Sequence, residues 1–94
     1  MKPTDYKSYT TERFRRALAK LPASVRQQAR EAYRLFKQNP QHPSLRFKPV
    51  HDTLPTYSAR VNLNYRVLGT LDGNEIVWFW IGPHDQYERL LKQL

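Results

Sequence analysis

The chain has 94 residues, with 16 lysines and arginines against 8 aspartates and glutamates, and so a net charge of +8. This length predicts a single domain over residues 1–94, and a basic excess of this size is typical of proteins that bind a polyanion or an acidic protein. The absence of cysteine excludes disulfides and thiolate metal sites, and the longest apolar run, residues 76–81, is far shorter than the roughly 20 residues of a membrane-spanning helix.

The N-terminal part of the chain predicts two helices. Residues 1–10 alternate only weakly, which favours an extended edge or a loose arm. Helical spacing of Phe14, Ala17, Leu18 and Leu21 then predicts a first helix, with Thr10 or Thr11 as its N-cap and an end at Pro22. A second helix ends at Asn39-Pro40. Its apolar face consists of Val25, Ala29, Ala32, Tyr33 and Phe36.

The start of the second helix carries a capping signal. Ser24 followed by Gln27 three residues later resembles a capping box, in which each side chain bonds to the other's backbone N–H. Two amphipathic helices joined at Pro22 form a helical hairpin. We expect its apolar faces to cover a sheet.

Four β-strands are predicted after this hairpin. Residues 45–48 alternate apolar and basic side chains, and Pro49 implies that this strand ends there or lies at an edge. Residues 57–63 and 65–71 alternate as half-buried strands do. Residues 76–81 are apolar throughout, which predicts a central strand covered on both faces, with the two preceding strands as its neighbours. The sequence Asp72-Gly73-Asn74 is typical of a tight hairpin turn before this last strand.

Residues 84–94 predict a short C-terminal helix, because apolar side chains recur there at helical spacing. The fold class is therefore α+β: an N-terminal helical hairpin packed on a small twisted, mainly antiparallel four-stranded sheet, followed by a short C-terminal helix.

Several basic residues are candidates for binding phosphate. Arg60 and Arg66 lie on strand faces opposite apolar residues, and a guanidinium offers paired donors that fit phosphate oxygens. The alternative is that they pair with carboxylates such as Asp52 or Glu75. A stripe on the second helix is suited to grip RNA phosphates, or is only a solvated helix face. Its members are Arg26, Arg30 and Arg34.

The histidines and one tyrosine are candidates for proton transfer. His84 is suited to act as a general acid or base, or else caps the last helix. Tyr87 is suited to stack on a base or donate its O–H, or else packs in the core. His51, in the loop after the first predicted strand, is either the second half of an acid–base pair or a surface residue. The spacing of the three histidines matches no recognisable metal site.

The order of these elements resembles the RelE/ParE superfamily of toxins from bacterial type II toxin–antitoxin systems. Most of the chain takes part in this resemblance. Its landmarks, in order, are Leu21-Pro22 leading into Val25, Asn39-Pro40, Leu45-Arg46-Phe47-Lys48, Ser58-Ala59-Arg60-Val61, Tyr65-Arg66-Val67-Leu68-Gly69, and Trp78-Phe79-Trp80-Ile81-Gly82 followed by His84 and Tyr87.

The resemblance implies two different activities on one fold. RelE-type members cut messenger RNA in the ribosomal A site without a metal, whereas ParE-type members poison DNA gyrase and lack a nuclease centre. The residues that match the RelE-type site are Arg66, Arg46 with Lys48, and His84 with Tyr87. Two features depart from that pattern: Asp85 follows His84 directly, and no residue clearly matches the glutamate base of some members.

We therefore expect a RelE-like toxin that cleaves mRNA on the ribosome. Arg66, His84, Tyr87, Arg60 and His51 are its candidate catalytic residues, and a cognate antitoxin, the ribosome and mRNA are its expected partners. No cofactor, metal or membrane is expected, and the N-terminus has no apolar export segment, which favours the cytoplasm. The alternatives are a ParE-like toxin that binds gyrase and a RelE-fold binding protein without activity.

Overall fold

The computed structural model describes residues 6–94, so residues 1–5 of the predicted N-terminal arm lie outside the described part. The α+β class is confirmed. In chain order the elements are β1 (Lys7–Thr10), α1 (Glu12–Ala19), α2 (Ala23–Gln38), a 3₁₀ turn (Pro43–Leu45), β2 (Lys48–Pro49), β3 (Thr56–Arg60), β4 (Tyr65–Asp72), β5 (Glu75–Pro83) and α3 (His84–Gln93).

The sheet has five strands in the order β1-β5-β4-β3-β2, one more than predicted. The additional strand is β1, which pairs parallel with β5, while all other pairs are antiparallel. The neighbours of β5 are therefore β4 and β1, and the prediction that β3 also lies beside β5 is wrong. The side chain of Trp78 secures the edge strand, because its indole N–H donates to Ser8 Oγ at 3.0 Å.

The strand predicted over residues 45–48 is mostly a turn. Leu45 is buried at the end of the 3₁₀ turn, and Arg46 follows it in the left-handed conformation with φ of 47°. Only Lys48 and Pro49 pair with β3. The alternation of apolar and basic residues therefore reflects a buried turn residue followed by a two-residue edge strand. A longer strand would show the same alternation, so the sequence pattern does not separate the two structures.

Both helices of the hairpin form, and one of their two predicted caps is present. Thr11 is the N-cap of α1, and its Oγ1 accepts a hydrogen bond from the Phe14 N–H at 3.0 Å. The capping box at Ser24 is wrong, because α2 already begins at Ala23 with Pro22 at the N-cap position. Ser24 is therefore the second residue of α2 and does not stand at its N-cap.

The helical hairpin covers one face of the sheet, the hairpin face. Side chains from α1 and α2 meet the sheet side chains of β3 to β5 there, and this cluster is the hydrophobic core. Its buried members are Phe14, Ala29, Phe36, Leu45, Ala59, Ile76, Trp78 and Ile81.

A β-bulge in β5 divides its aromatic residues between the two faces. Phe79 has no partner in β4, because Gly69 pairs with Trp78 and Leu68 pairs with Trp80. Cross-strand partners share a face, so Trp78 lies on the hairpin face and Trp80 on the opposite one. A Cβ on Gly69 would come within 2.7 Å of the Trp78 ring, and a methyl group does not fit there.

The opposite face of the sheet is covered by α3, which packs against β4 and β5. Leu68 is fully buried there, whereas Val77, further along β5, is 37% exposed. The prediction that both faces of residues 76–81 are covered is therefore only partly right. Across residues 6–94, no helix is both long and apolar enough to cross a membrane.

Candidate functional site

The side of the sheet that carries α3, the α3 face, holds a polar cavity of about 500 Å³. It lies between α3 and the ends of β2, β3 and β4. One carboxylate, that of Glu88, stands at this cavity, and the basic side chains outnumber it. They are Arg46, Lys48, Arg60, Arg66 and His84.

Strand register brings the sheet residues of the cavity together. Arg60 and Arg66 are direct partners at the end of the β3–β4 ladder, and Lys48 is the partner of Ser58. Since partners share a face and alternate residues do too, all four side chains lie on the α3 face. Arg60 and Arg66, on the two sides of one turn, thus form a pair of neighbouring guanidinium groups.

Arg66 is held by the turn that joins β3 to β4. Its Nη1 donates to the carbonyl oxygen of Asn62 at 2.7 Å and to that of Tyr65 at 3.0 Å. Burial lowers the pKa of Arg66 below its ordinary value, and the charges of Arg60 and Arg46 lower it further, while Tyr87 and Glu88 act in the opposite direction. A guanidinium stays protonated at neutral pH even so, and an anion in the cavity would relieve this repulsion.

Arg46 and Lys48 enter the cavity from its other side. Arg46 is the only non-glycine residue with positive φ among the described residues. The left-handed conformation is unfavourable for a residue with a Cβ, and such strain concentrates at functional sites. The backbone conformation that places the Arg46 side chain here is therefore energetically unfavourable.

His84 begins α3 at the mouth of the cavity. Its backbone N–H donates to Asn64 O at 2.7 Å, and its Nε2 lies 3.3 Å from Glu88 Oε1, one helical turn later. The ring stands 5.8 Å from the ring of Tyr87. A carboxylate on one imidazole nitrogen fixes the orientation of the ring and leaves the other nitrogen available for proton transfer.

Tyr87 lies beneath His84 and is buried, with 6% of its surface exposed. Its O–H donates to Ser58 Oγ at 3.2 Å, which ties α3 to β3. The side chain is thus part of the packing between helix and sheet, and only its edge lines the cavity.

Four of the predicted site residues lie elsewhere. The Nδ1 of His51 accepts from the N–H groups of Thr53 and Leu54, and its Nε2 lies 3.2 Å from Leu94 O, so this ring organises a loop and the end of α3. The arginine stripe of α2 is separated from the cavity by the sheet, and Arg26 of that stripe donates back to Leu21 O. The other two members are Arg30 and Arg34.

Glu88 was not singled out from the sequence, although the signal was present. It follows His84 by four residues in a segment predicted to be helical, which is the spacing at which side chains meet on a helix. In the described residues no group of three or more His, Cys, Asp or Glu side chains could hold a metal ion.

A second cavity, of about 240 Å³, opens on the hairpin face between the two helices and the sheet. Its floor is apolar and includes Phe14, Val61 and Trp78, whereas Arg15, Arg30 and Arg60 stand around it. Arg60 borders both cavities, but its side chain lies on the α3 face, so its guanidinium belongs to the polar cavity.

Comparisons with known proteins agree with this architecture. The family model of the ParE-like toxin domain matches residues 23–89. The RelBE2 toxin–antitoxin complex of Mycobacterium tuberculosis contains a similar chain, with 26% identity, a TM-score of 0.67, and coverage of 85% of this chain and 99% of that one. A search of curated proteins gives no match.

Two further solved structures share the fold at lower identity. The RelE–RelB complex of the archaeon Pyrococcus horikoshii matches at 19% identity with a TM-score of 0.67, covering 84% of this chain and 94% of that one. The intact RelBE complex of E. coli matches at 18% identity with a TM-score of 0.61, covering 82% and 94%. The fold is that of the RelE-like toxins.

Proposed function

This chain belongs to the ParE-like toxin family, and on that premise we propose that it is a toxin that cleaves mRNA on the ribosome and thereby inhibits translation. Residues 1–94 act as one domain in the cytoplasm. The observation that carries the proposal is the convergence of four cationic side chains and His84 on one polar cavity. A gyrase-binding toxin has no need of such a cavity.

The cavity has the groups that RNA cleavage through the 2′-oxygen requires. A base takes the proton of the 2′-OH, the oxygen attacks the adjacent phosphorus, the bond to the 5′-oxygen breaks, and an acid protonates that leaving oxygen. Charge builds up on the phosphate oxygens in the transition state, where fixed guanidinium groups stabilise it. We assign this role to Arg60 and Arg66, which face each other across β3 and β4.

His84 carries one of the two proton transfers. It stands at the mouth of the cavity and is 46% exposed in its side chain, so an RNA strand can reach it. Glu88 orients it. We assign the other proton transfer to Lys48 of β2, which lines the same cavity. Arg46 and Lys48 also hold the phosphates next to the cleaved bond.

The arginines of α2 contribute on a different surface. Arg30 and Arg34 are exposed on the far side of the sheet from the cavity, so one RNA strand cannot occupy both places without turning round the sheet. We assign these side chains, with Arg26, to sequence-independent contacts with ribosomal RNA phosphates, whose strength falls steeply with salt.

A cognate antitoxin is the expected protein partner. The relatives from M. tuberculosis, P. horikoshii and E. coli were crystallised as toxin–antitoxin complexes. The apolar groove on the hairpin face, with arginines around an apolar floor, fits an amphipathic segment that carries carboxylates.

Growth inhibition by induced expression tests the proposal. The unmodified chain should stop growth and protein synthesis, whereas Arg66→Ala and His84→Ala should not, at equal levels of folded protein. Arg13→Ala is the matched control, since Arg13 is an exposed cation on α1 and should leave toxicity unchanged. Toxicity that survives both cavity substitutions would refute the nuclease, and a gyrase supercoiling assay would then test the alternative of a binding toxin.

A further inference from the structure

The turn between β3 and β4 is organised around one side chain, Asn62. Its Oδ1 accepts hydrogen bonds from the backbone N–H groups of Asn64 at 2.8 Å and Tyr65 at 2.9 Å. These two bonds close the turn on itself. Asparagine is suited to this place because its side-chain oxygen reaches backbone N–H groups two and three residues later.

The same turn contacts both of the principal residues of the polar cavity. The backbone oxygen of Asn62 accepts from Arg66 Nη1 at 2.7 Å. Two residues later, the backbone oxygen of Asn64 accepts from the N–H of His84 at 2.7 Å. The guanidinium of Arg66 and the backbone of His84 are therefore both held by hydrogen bonds to the same four-residue turn, residues 62–65.

A third contact fixes the turn to the helical hairpin. The Nδ2 of Asn62 donates to Gln28 Oε1 of α2 at 2.6 Å. The side chain thus uses its oxygen within the turn and its nitrogen across to α2, and both ends of the amide are engaged. The turn is tied to the hairpin face and supports the cavity on the α3 face.

The guanidinium of Arg66 needs this support because two neighbouring positive charges repel it. Arg60 is its direct cross-strand partner and Arg46 stands on the other side of the same cavity. Neither can accept a hydrogen bond. Without carbonyl oxygens to hold it, the guanidinium would turn towards solvent, away from the position in which it meets a phosphate.

We propose that Asn62 is a positioning residue of the cavity, which holds Arg66 and the start of α3 in the arrangement that binds and cleaves RNA. Its importance for cleavage rests on the proposed function, but the restraint on Arg66 does not. Asn62 is not a catalytic residue, since no part of its side chain lines the polar cavity.

The test compares Asn62→Ala with Leu63→Ala in the same turn. Leu63 is 70% exposed and enters the network only through its backbone, so it is the matched control. The first readout is the rotation of the Arg66 guanidinium about its Cζ–Nε bond, followed by ¹⁵N NMR. We expect this rotation to be restrained in the unmodified chain and in Leu63→Ala, and free in Asn62→Ala.

The second readout is binding of a short 2′-O-methyl RNA, which cannot be cleaved through the 2′-oxygen. Loss of one charge-assisted contact corresponds to an affinity about tenfold to a hundredfold weaker for Asn62→Ala, with Leu63→Ala unchanged. Asn62→Asp keeps the oxygen that accepts from Asn64 and Tyr65, although it lacks the Nδ2 that donates to Gln28, and should restore the restrained rotation of Arg66. With natural mRNA on the ribosome, kcat should fall by roughly a hundredfold at most.

The proposal is overturned if Asn62→Ala behaves as Leu63→Ala does in guanidinium rotation and RNA affinity. Should the alanine variant not fold, Asn62→Gly takes its place, because glycine is tolerated in turns and also lacks the oxygen that accepts from the two N–H groups. Restrained rotation in that variant would equally overturn it. A chain whose Arg66 responds as expected but which binds no RNA would contradict the proposed function and leave the positioning intact.

Discussion

Arg60 and Arg66 are direct partners in the β3–β4 ladder, so two guanidinium groups face each other on the α3 face of the sheet. Like charges in this position destabilise a sheet. Arg60 makes no hydrogen bond or ion pair to any other side chain within residues 6–94, whereas Arg66 is held by turn carbonyls. Under the proposed function, this cost is offset when the pair binds a phosphate.

Arg60→Gln should therefore stabilise the protein while it weakens RNA binding. We expect the free energy of unfolding to rise by about 0.2–1 kcal/mol, the cost of a like-charge cross-strand pair, measured by urea denaturation. Affinity for 2′-O-methyl RNA should fall. Arg13→Gln removes an exposed charge from α1 and is the control for net charge. A less stable Arg60→Gln protein would show that Arg60 has a structural role.

The left-handed conformation of Arg46 gives a second stability prediction. Arg46→Gly and Arg46→Ala both remove the cation, but only glycine adopts φ of 47° without a Cβ penalty. The glycine variant should be more stable than the alanine variant by about 1 kcal/mol. Gly73→Ala provides the calibration, because Gly73 has φ of 61° with open space around its Cα. Equal stability of the two Arg46 variants would contradict the strain.

Glu88 should matter for cleavage and hardly at all for stability. It is exposed, its one ion pair within residues 6–94 is with His84, and surface ion pairs contribute about 0–1 kcal/mol. Because it orients the imidazole, Glu88→Ala should slow cleavage by about tenfold or more, in single-turnover assays on programmed ribosomes. Asp85→Asn is the matched control: Asp85 pairs with Arg89 on the same helix at the same spacing, and lines no part of the polar cavity.

If Glu88→Ala and Asp85→Asn cleave equally fast, Glu88 does not orient the base or acid. Glu88→Gln separates charge from geometry, because the amide keeps an oxygen that accepts from Nε2. We expect it to retain more activity than Glu88→Ala.

The Tyr87–Ser58 contact predicts a measurable coupling between helix and sheet. Both side chains are buried, and the O–H of Tyr87 donates to Ser58 Oγ. Ser58→Ala leaves that O–H without a partner and Tyr87→Phe leaves the Ser58 hydroxyl without one, so each should cost about 1–3 kcal/mol. The double variant should recover part of the loss. Strictly additive free energies in this cycle would mean that the bond is absent in solution.

The sequence predicted the helices, the hairpin turn and three of the strands, because their apolar residues repeat at a clear period. It could not predict the bulge at Phe79. Every side chain from Ile76 to Ile81 is apolar. The sequence therefore has no change in polarity at the residue where the bulge shifts the following side chains to the other face of the sheet. The pairing of β1 with β5 was hidden as well, since an edge strand of four residues alternates too briefly to stand out.

The site was predictable in its residue types and not in its assembly. Arg60, Arg66 and His84 were recognisable as polar residues in or beside strands, and the structure brings them to one cavity. His51 lies outside the cavity because its ring is held by hydrogen bonds within its own loop. The α2 arginines lie away from the cavity because the helical hairpin covers the opposite face of the sheet. Neither fact follows from local spacing.

The most direct test of the account is primer extension on a defined mRNA in a reconstituted translation reaction, with and without ribosomes. The unmodified chain and His84→Ala should be compared at equal concentration. We predict new cuts only where ribosomes and the unmodified chain are both present. An mRNA that stays intact at concentrations of the chain that inhibit growth would contradict the account, because this fold would then act by binding alone.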